Sequence, residues 1–416
     1  MMSERPAPFR IALYSGVYVN RDGIGGALTC RLDMLERLRR NGVPVEAVVF
    51  CRGSDIPDPR VRVLRNVADL LLDPFFMAAD LHSFEFGVHY DLFDAIFVLP
   101  SGAAALGTYH NITPPELVAE DQRHAVMESF RQRYNLFETG HVVCVSEFNR
   151  RDLLDIGFPA ERMSVVPCPT PATRLVRLSD KLAKRKAGPI EFLFVGRFVR
   201  AKGVVELLEA ADRLASESLP PFRLTLVFNR SFSDPKLLAW LDERMRRGPE
   251  RRWLRLVPSA TDAELTAQYA AADCFVIPSH HEGFCIPVIE ALSAGCQVVA
   301  ADAGNLPFIL DGLGKLVPVG DAAGIAEAMR AVLRELHEAR QSGRMPMLGT
   351  DRGALPVDAW AQAVDLHLRG FSREVFEIGF AAALRASLAA AGREIPDWLL
   401  PGNFEARAGI GAAEAA

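Results

Sequence analysis

Asp273-Cys274-Phe275-Val276-Ile277-Pro278-Ser279-His280-His281-Glu282-Gly283-Phe284-Cys285-Ile286-Pro287-Val288-Ile289-Glu290 reads as a buried-type strand, a short polar loop and a helix in immediate succession. Proline is favoured in the first helical turn, so the helix is expected over 286–294 with Pro287 at its start. Gly295 supplies the left-handed residue that closes it. A second strand, Gln297–Ala300, follows at once. Such a strand–loop–helix aims the free amides of Phe284, Cys285 and Ile286 above the sheet edge, a ready anion site suited to a phosphate.

Outward from this stretch, the same alternation runs through the chain. Strands are expected at Phe9–Tyr14, Val45–Phe50, Asp94–Leu99, Leu106–Tyr109, Val142–Val145 and Ser164–Val166, then at Ile190–Val195, Arg223–Phe228 and Asp273–Ile277. Between them lie helical spacings, such as Leu28, Leu32, Leu35 and Leu38 within 27–40, and a helix over 203–216. Alternating strands and helices argue for parallel βαβ units and an α/β fold. The break comes at Pro167-Cys168-Pro169-Thr170-Pro171 and the basic run Lys181–Lys186, read as a solvated hinge. The fold class is therefore two Rossmann-like parallel-sheet domains in tandem, over 1–172 and 173–370, with a ligand cleft between them at the strand ends. An Ala-rich amphipathic helix over 371–392 opens a C-terminal part (371–400), and 401–416 is read as a flexible tail.

Composition narrows the function. The 416 residues are 50% hydrophobic and 24% charged, which is the balance of a globular protein, and the net charge of −5 lacks the basic excess of a nucleic-acid binder. No apolar run reaches the roughly 18 residues of a membrane span, and Met1–Pro8 has no apolar core for a signal peptide. Seven scattered cysteines without Cys-x-x-Cys spacing read as buried thiols in a reducing cytoplasm. No Asp-x-Asp pair and no Gly-x-x-x-x-Gly-Lys-Ser/Thr loop occurs, so no divalent ion or other cofactor is expected.

Glu282 and Glu290 flank the anion site. A carboxylate repels phosphate but accepts hydrogen bonds from sugar or ribose hydroxyls, so amides and carboxylates together fit a sugar nucleotide. The alternative is a helix-entry glutamate that favours the dipole beside an incidental core-edge one. In Val195-Gly196-Arg197-Phe198-Val199-Arg200-Ala201-Lys202-Gly203, Gly196 ends a strand and lets a ligand approach the backbone, while Arg197 and Lys202 bracket the loop. Two such cations can neutralise a diphosphate leaving group, or they are solvated surface charges. Gly23-Ile24-Gly25-Gly26 forms a glycine loop without full Gly-x-Gly-x-x-Gly spacing, and Phe50-Cys51-Arg52-Gly53 lacks the acid that a dinucleotide site needs. His110 ends a strand before Asn111-Ile112-Thr113-Pro114-Pro115, either as a substrate contact or as a satisfied structural histidine.

Gly196-Arg197…Lys202-Gly203 and Glu282-Gly283-Phe284…Glu290-Ala291, with the spacing between them, resemble the retaining glycosyltransferases of family 4, which have the two-domain GT-B fold. Tyr109-His110-Asn111 and Val145–Leu153 add to the likeness, which covers about residues 9–340. It implies a nucleotide-sugar donor and a hydroxyl acceptor on a glycan, a lipid-linked glycan or a natural product, as in polysaccharide biosynthesis. By the same likeness Arg197 and Lys202 hold the diphosphate, Glu290 the ribose, and Glu282 lies by the reacting carbon. Gly283, Phe284 and Cys285 present amides, Gly25 and Gly26 face the diphosphate from the other domain, and His110 sits beside the transferred sugar. A front-face reaction, with the leaving phosphate deprotonating the acceptor, needs no protein base. The last helix of that fold crosses back to the N-terminal domain.

The sequence departs from the family at Cys285, where relatives often have glycine, at Phe228-Asn229-Arg230, and at Phe308 after Gly304-Asn305-Leu306-Pro307. Two other readings share the architecture: a nucleotide-sugar epimerase acting without acceptor, and a non-catalytic nucleotide binder, against which the intact Glu and Arg/Lys pairs argue. The resemblance implies a cytoplasmic place, with peripheral contact at the inner membrane face as an option. Arg31, Arg37, Arg39 and Arg40 are then either a lipid-facing or a solvated helix face, the second being preferred.

Overall fold

A computed structural model describes residues 7–20, 23–170, 176–184, 187–248 and 252–410. The chain divides into two compact units, Met1–Pro115 with Ala119–Pro169 and Phe371–Ala416, and Thr170–Gly370 with Glu116–Val118.

The first unit is built on a seven-stranded parallel sheet: β1 (Phe9–Tyr14), β2 (Val45–Cys51), β3 (Val61–Val63), β4 (Leu81–Phe86), β5 (Ala104–Tyr109), β6 (His141–Cys144) and β7 (Met163–Val165). Their spatial order is β3-β2-β1-β4-β5-β6-β7. The chain works outward to β3 and then returns to lay β4 beside β1, so the winding reverses between those two strands. In open α/β sheets that reversal leaves a crevice at the carboxyl ends, where ligands bind. One face of the sheet is covered by helix α1 (Gly23–Arg40) and by the helix Arg373–Ala390, through Leu28, Leu32, Leu35, Phe376, Phe380 and Leu384. The other face packs Tyr14, Phe50, Phe84, Phe86 and Phe93. The helix Arg373–Ala390 lies against β5 and β6. Gly379 lets the helix close on Val166, just after β7, since a Cβ there would stand 2.7 Å from Val166 Cγ1.

The second unit has six parallel strands: β8 (Ile190–Val195), β9 (Phe222–Phe228), β10 (Leu254–Pro258), β11 (Cys274–Ile277), β12 (Gln297–Ala301) and β13 (Lys315–Val317). The order β10-β9-β8-β11-β12-β13 puts its reversal between β8 and β11. A small antiparallel hairpin, β14 (Met347–Thr350) with β15 (Gly353–Pro356), completes the unit's strands among the described residues.

Several expectations need correction. Asp94–Leu99 is no strand: Asp91–Val98 is a 3-10 helix, with Phe97 and Val98 exposed. The Asp94 carboxylate accepts from Gln132 and Asn135 at 2.8 and 2.9 Å, which ties the segment beside the sheet, and the slot next to β1 belongs to β4. The unforeseen β4, Leu81-His82-Ser83-Phe84-Glu85-Phe86, is wholly buried despite three polar residues that break its apolar run. The glycine run 23–26 is not a loop but the first turn of α1, while Asp22 lies outside the described residues. Lys181 is not part of a solvated hinge. Its helix, Leu178–Lys184, buries it, and Nζ donates to the carbonyls of Ala272 and Tyr269 at 2.6 and 3.2 Å. Pro171, Arg185 and Lys186 of the expected linker lie outside the described residues. Part of the supposed tail folds: Asn403–Ala408 is a helix that buries Phe404 and Ala408 in the first unit's core, and residues 411–416 lie outside the described set.

All seven cysteines are free thiols, six of them buried and Cys30 half-buried. No helix among the described residues is long and apolar enough to cross a membrane.

Candidate active site at the carboxyl edge of the second sheet

Two loops meet where the second sheet reverses. The first leaves β8 at Gly196, whose amide donates to Val227 O at 3.1 Å, and runs through Arg197 to the short turn Arg200–Lys202. Gly203 ends the turn at φ +63° and opens the helix Val204–Ala215. A Cβ on Gly203 would stand 2.0 Å from the Pro278 carbonyl oxygen of the second loop, so only glycine allows this contact. The backbone thereby brings Lys202 across to the residues after β11. Its Nζ donates to Glu282 Oε1 at 2.7 Å, and Ser279 Oγ donates to the same oxygen at 2.7 Å.

The second loop, 278–285, is held from three sides. His280 N donates to Ala201 O at 2.8 Å, and His280 Nε2 lies 3.1 Å from Glu206 Oε1. Asn305, buried after β12, donates its amide to Glu282 O at 2.9 Å and its Nδ2 to Phe284 O at 3.0 Å. Gly304 at φ +56° sits so close beneath that a Cβ would reach 2.4 Å from Glu282 O. The loop ends at Cys285, the N-cap of the helix Ile286–Ser293, with φ +78°. That left-handed backbone suits glycine, and a thiol-bearing residue there carries strain of order 1 kcal/mol or more. Burial, and then the neighbouring Glu282, push the Cys285 thiol well up, so it stays protonated.

Glu290 lies one turn into the helix, and its Oε2 accepts from Tyr269 OH at 2.7 Å. Burial raises this carboxyl, the Tyr269 hydrogen bond pulls it back down, and Asp262 pushes it up again. Arg197 is exposed, and its side chain has no partner among the described residues. Gly196 and Gly283 are half-buried, and Phe284 is buried.

Lys202 and Glu282 are thus in direct contact, while Glu290 is held separately by Tyr269. Gly25, Gly26 and His110 belong to the first unit. Gly25 is buried under Val19 O, 2.2 Å from where a Cβ would be, which accounts for this glycine by packing alone. Gly26 is exposed with open space at its Cβ position. His110 follows β5, its Nε2 2.8 Å from Glu85 Oε2. Sequence reading did not single out Ser279, His280, Tyr269 or Glu85. Ser279 stands three residues before Glu282, a local signal, but Tyr269 and Glu85 reach their partners only through the fold. Nor do Arg31, Arg37, Arg39 and Arg40 form one solvated face. Arg31 is buried, Arg37 binds Glu377, and Arg39 and Arg40 both pair with Glu36.

A cation, two carboxylates and a helix start stand together at the reversal point of a doubly wound α/β sheet, an arrangement able to pair with an anion and to accept from hydroxyls. Residues 189–335 match the family described as glycosyl transferases group 1, and residues 24–174 match glycosyltransferase family 4. The chain belongs to the family 4 glycosyltransferases of GT-B fold. It is 27% identical over 238 residues to the O-antigen chain mannosyltransferase B of Escherichia coli, covering 53% of this chain and 59% of that one. To the D-inositol 3-phosphate glycosyltransferase of Gordonia bronchialis it is 27% identical over 424 residues, covering 89% and 90%. Among solved structures it is similar to Anabaena Alr3699/HepE in complex with UDP and glucose, with TM-score 0.61, 17% identity, and coverage of 91% and 100%. The chain spans between 37% and 59% of the length of the first curated relatives it matches.

Proposed function

We propose that this protein is a metal-independent retaining glycosyltransferase that moves a sugar from a nucleotide-sugar donor to a hydroxyl acceptor. The observation that carries the reading is the Lys202–Glu282 pair, joined by Ser279, at the β8/β11 reversal. A cation there offsets the charge that grows on a departing diphosphate, a task that in other enzymes falls to a divalent ion. Among the described residues, no group of three or more His, Cys, Asp and Glu could hold a metal. Arg197 adds a second cation on the same loop, and the amides at the start of Ile286–Ser293 add oriented dipoles. Glu290, with Oε2 occupied by Tyr269, keeps its other oxygen for a ribose hydroxyl. In the transfer, the bond from the anomeric carbon to the diphosphate oxygen breaks and the bond to the acceptor oxygen forms on the same face. The acceptor proton passes to the leaving phosphate, while Glu282 orients and stabilises charge.

The relatives' names support a glycan or polyol acceptor, and the UDP and glucose in the Anabaena complex support a nucleotide-sugar donor. The test is a thermal-shift screen against UDP-, GDP-, ADP- and dTDP-sugars, followed by turnover with and without acceptor. A donor that binds only the folded state raises the melting temperature. One nucleotide family is expected to do so, with sugar transfer only when acceptor is present. Conversion of donor alone would favour an epimerase, and the absence of any shift would sink the proposal.

A further inference from the structure

The second sheet has an amino edge as well as the carboxyl edge where Lys202 and Glu282 meet. Glu191, Arg223 and Arg255 are each the second residue of their strands, β8, β9 and β10. The register sets Glu191 beside Arg223, and the next row places Leu193, Thr225 and Arg255 side by side. Residues two apart on a strand share a face, so all five project from one side of the sheet. The helix Asp262–Ala271, which leads from β10 back to β11, packs against β8. Between its Gln268 and the strands lies a cavity of about 210 Å³.

The lining of this cavity holds an unpaired group. Thr225 is only 5% exposed, yet its hydroxyl has no hydrogen-bond partner among the described residues. Buried hydroxyls are ordinarily paired, because losing water without a replacement is costly. Valine has the same shape as threonine and would pack against Leu193 without that cost. The hydroxyl is therefore addressed to whatever enters the cavity. Two further donors line it without a side-chain partner among the described residues, the half-buried amide of Gln268 and the exposed guanidinium of Arg255.

The chemistry of the lining narrows the ligand. Its one carboxylate, Glu191, is held by Arg223, whose Nη1 donates to Oε1 at 3.1 Å. That leaves a single positive charge, a hydroxyl and an amide. A planar guanidinium presents paired N–H groups that match two oxygens of one carboxylate or phosphate. Sites for drug-sized ligands span about 300–1,000 Å³, so this one takes a smaller body.

We propose that this cavity is a second binding site, for a small oxyanion, the phosphate or carboxylate group of a metabolite, held by Arg255, Thr225 and Gln268. It stands independently of the glycosyltransferase reading and apart from the Lys202–Glu282 site. Val195, where β8 gives way to the Gly196 loop, is four residues from Glu191, about 13 Å along the strand.

The test uses the full chain with 15N-labelled arginine, the Arg255 Nε–H signal being assigned by its loss in Arg255→Lys. Inorganic phosphate and succinate are titrated separately at constant ionic strength, with sodium chloride as the control. The Arg255 signal is expected to move along a saturating curve with at least one of the two oxyanions and not with chloride. A response to phosphate alone assigns the site to phosphate groups, a response to succinate alone to carboxylates, and a response to both to the charge they share. Thr225→Val keeps shape and charge, and should weaken binding at least fivefold. In Lys202→Ala the Arg255 response should persist with the same midpoint, and adding Arg255→Gln should remove the accompanying rise in melting temperature. A response equal to that of chloride, or an unchanged midpoint in Thr225→Val, would overturn the proposal. So would a response that vanishes in Lys202→Ala, which would make it an echo of the other site. Binding at Arg255 in a protein that transfers no sugar would sink only the glycosyltransferase reading.

Discussion

The reversal points of the two sheets solve different problems with similar residues. In the second unit the ion pair is reachable: the Lys202 side chain is 20% exposed, and the pair bridges two glycine-bearing loops. In the first unit the pair is sealed: the Arg31 and Glu85 side chains are 1% and 0% exposed, and the pair bridges a helix and a strand interior. A pair on loops can let go of its partner and take a ligand, because water and the ligand replace the lost contacts. A pair inside a sheet cannot, since an unpartnered buried charge costs several kcal/mol. The first kind is suited to binding, and the second to fixing something else in place.

The largest expected effect breaks the comparison at its exposed side. Lys202→Ala should lower kcat/KM by about 100- to 1000-fold, the usual cost of deleting one charge-stabilising group. Steady-state kinetics on the best donor would measure it. A loss under fivefold would mean that the pair is merely structural.

Next comes a contrast between glycines. Gly203→Ala forces a Cβ into Pro278 O at φ +63° and should cost about 2–4 kcal/mol in urea unfolding, with donor affinity falling as the loops separate. Gly26→Ala meets open space inside a helix and should instead stabilise by about 0.5–1 kcal/mol. If donor affinity drops in this more stable variant, Gly26 faces the ligand. An unchanged affinity would assign it to the helix alone.

The last effect appears only on acidification and concerns the buried polar strand. Burial lowers His82 to about 3, and its Nδ1 is 2.7 Å from Tyr14 OH. The unfolded chain takes up the proton near pH 6.5 and the native protein only near 3. The contribution of His82 is therefore complete above pH 6.5 and is lost as pH falls towards 3, by up to about 1.4 kcal/mol per pH unit. His82→Gln should flatten the pH dependence of the urea midpoint between pH 6 and 4. An unaltered slope would mean that His82 is protonated in the native state.

What was readable in advance follows the same division. β1 and β8 have the expected bounds, and the helix at 286–293 is capped by Gly295 at φ +67°, because apolar runs, proline and glycine act over a few neighbours. Arg197, Lys202 and Glu282 in the loops, and Glu290 in the helix that follows, stood out for a related reason: local spacing carries them. β4 was missed because His82, Ser83 and Glu85 give it the polarity of a surface segment, and the partners of His82 and Glu85, namely Tyr14, Arg31 and His110, lie 25 to 68 residues away. Asp94–Leu99 misled in the opposite sense. Its apolar letters look like a strand, yet the sheet position they would fill was taken by a less apolar competitor.

Local chemistry alone set the alternation of strand and helix and the glycine turns, since each depends on residues within a turn or two of one another, and the family was legible from two such local motifs and the spacing between them. Which strand lies beside β1, and therefore that Arg31, Glu85 and His110 form one buried chain of contacts, was decided only by tertiary packing. A charged residue such as Arg31 or Glu85 tolerates burial when a partner arrives from elsewhere in the fold, and no short stretch of sequence encodes that arrival.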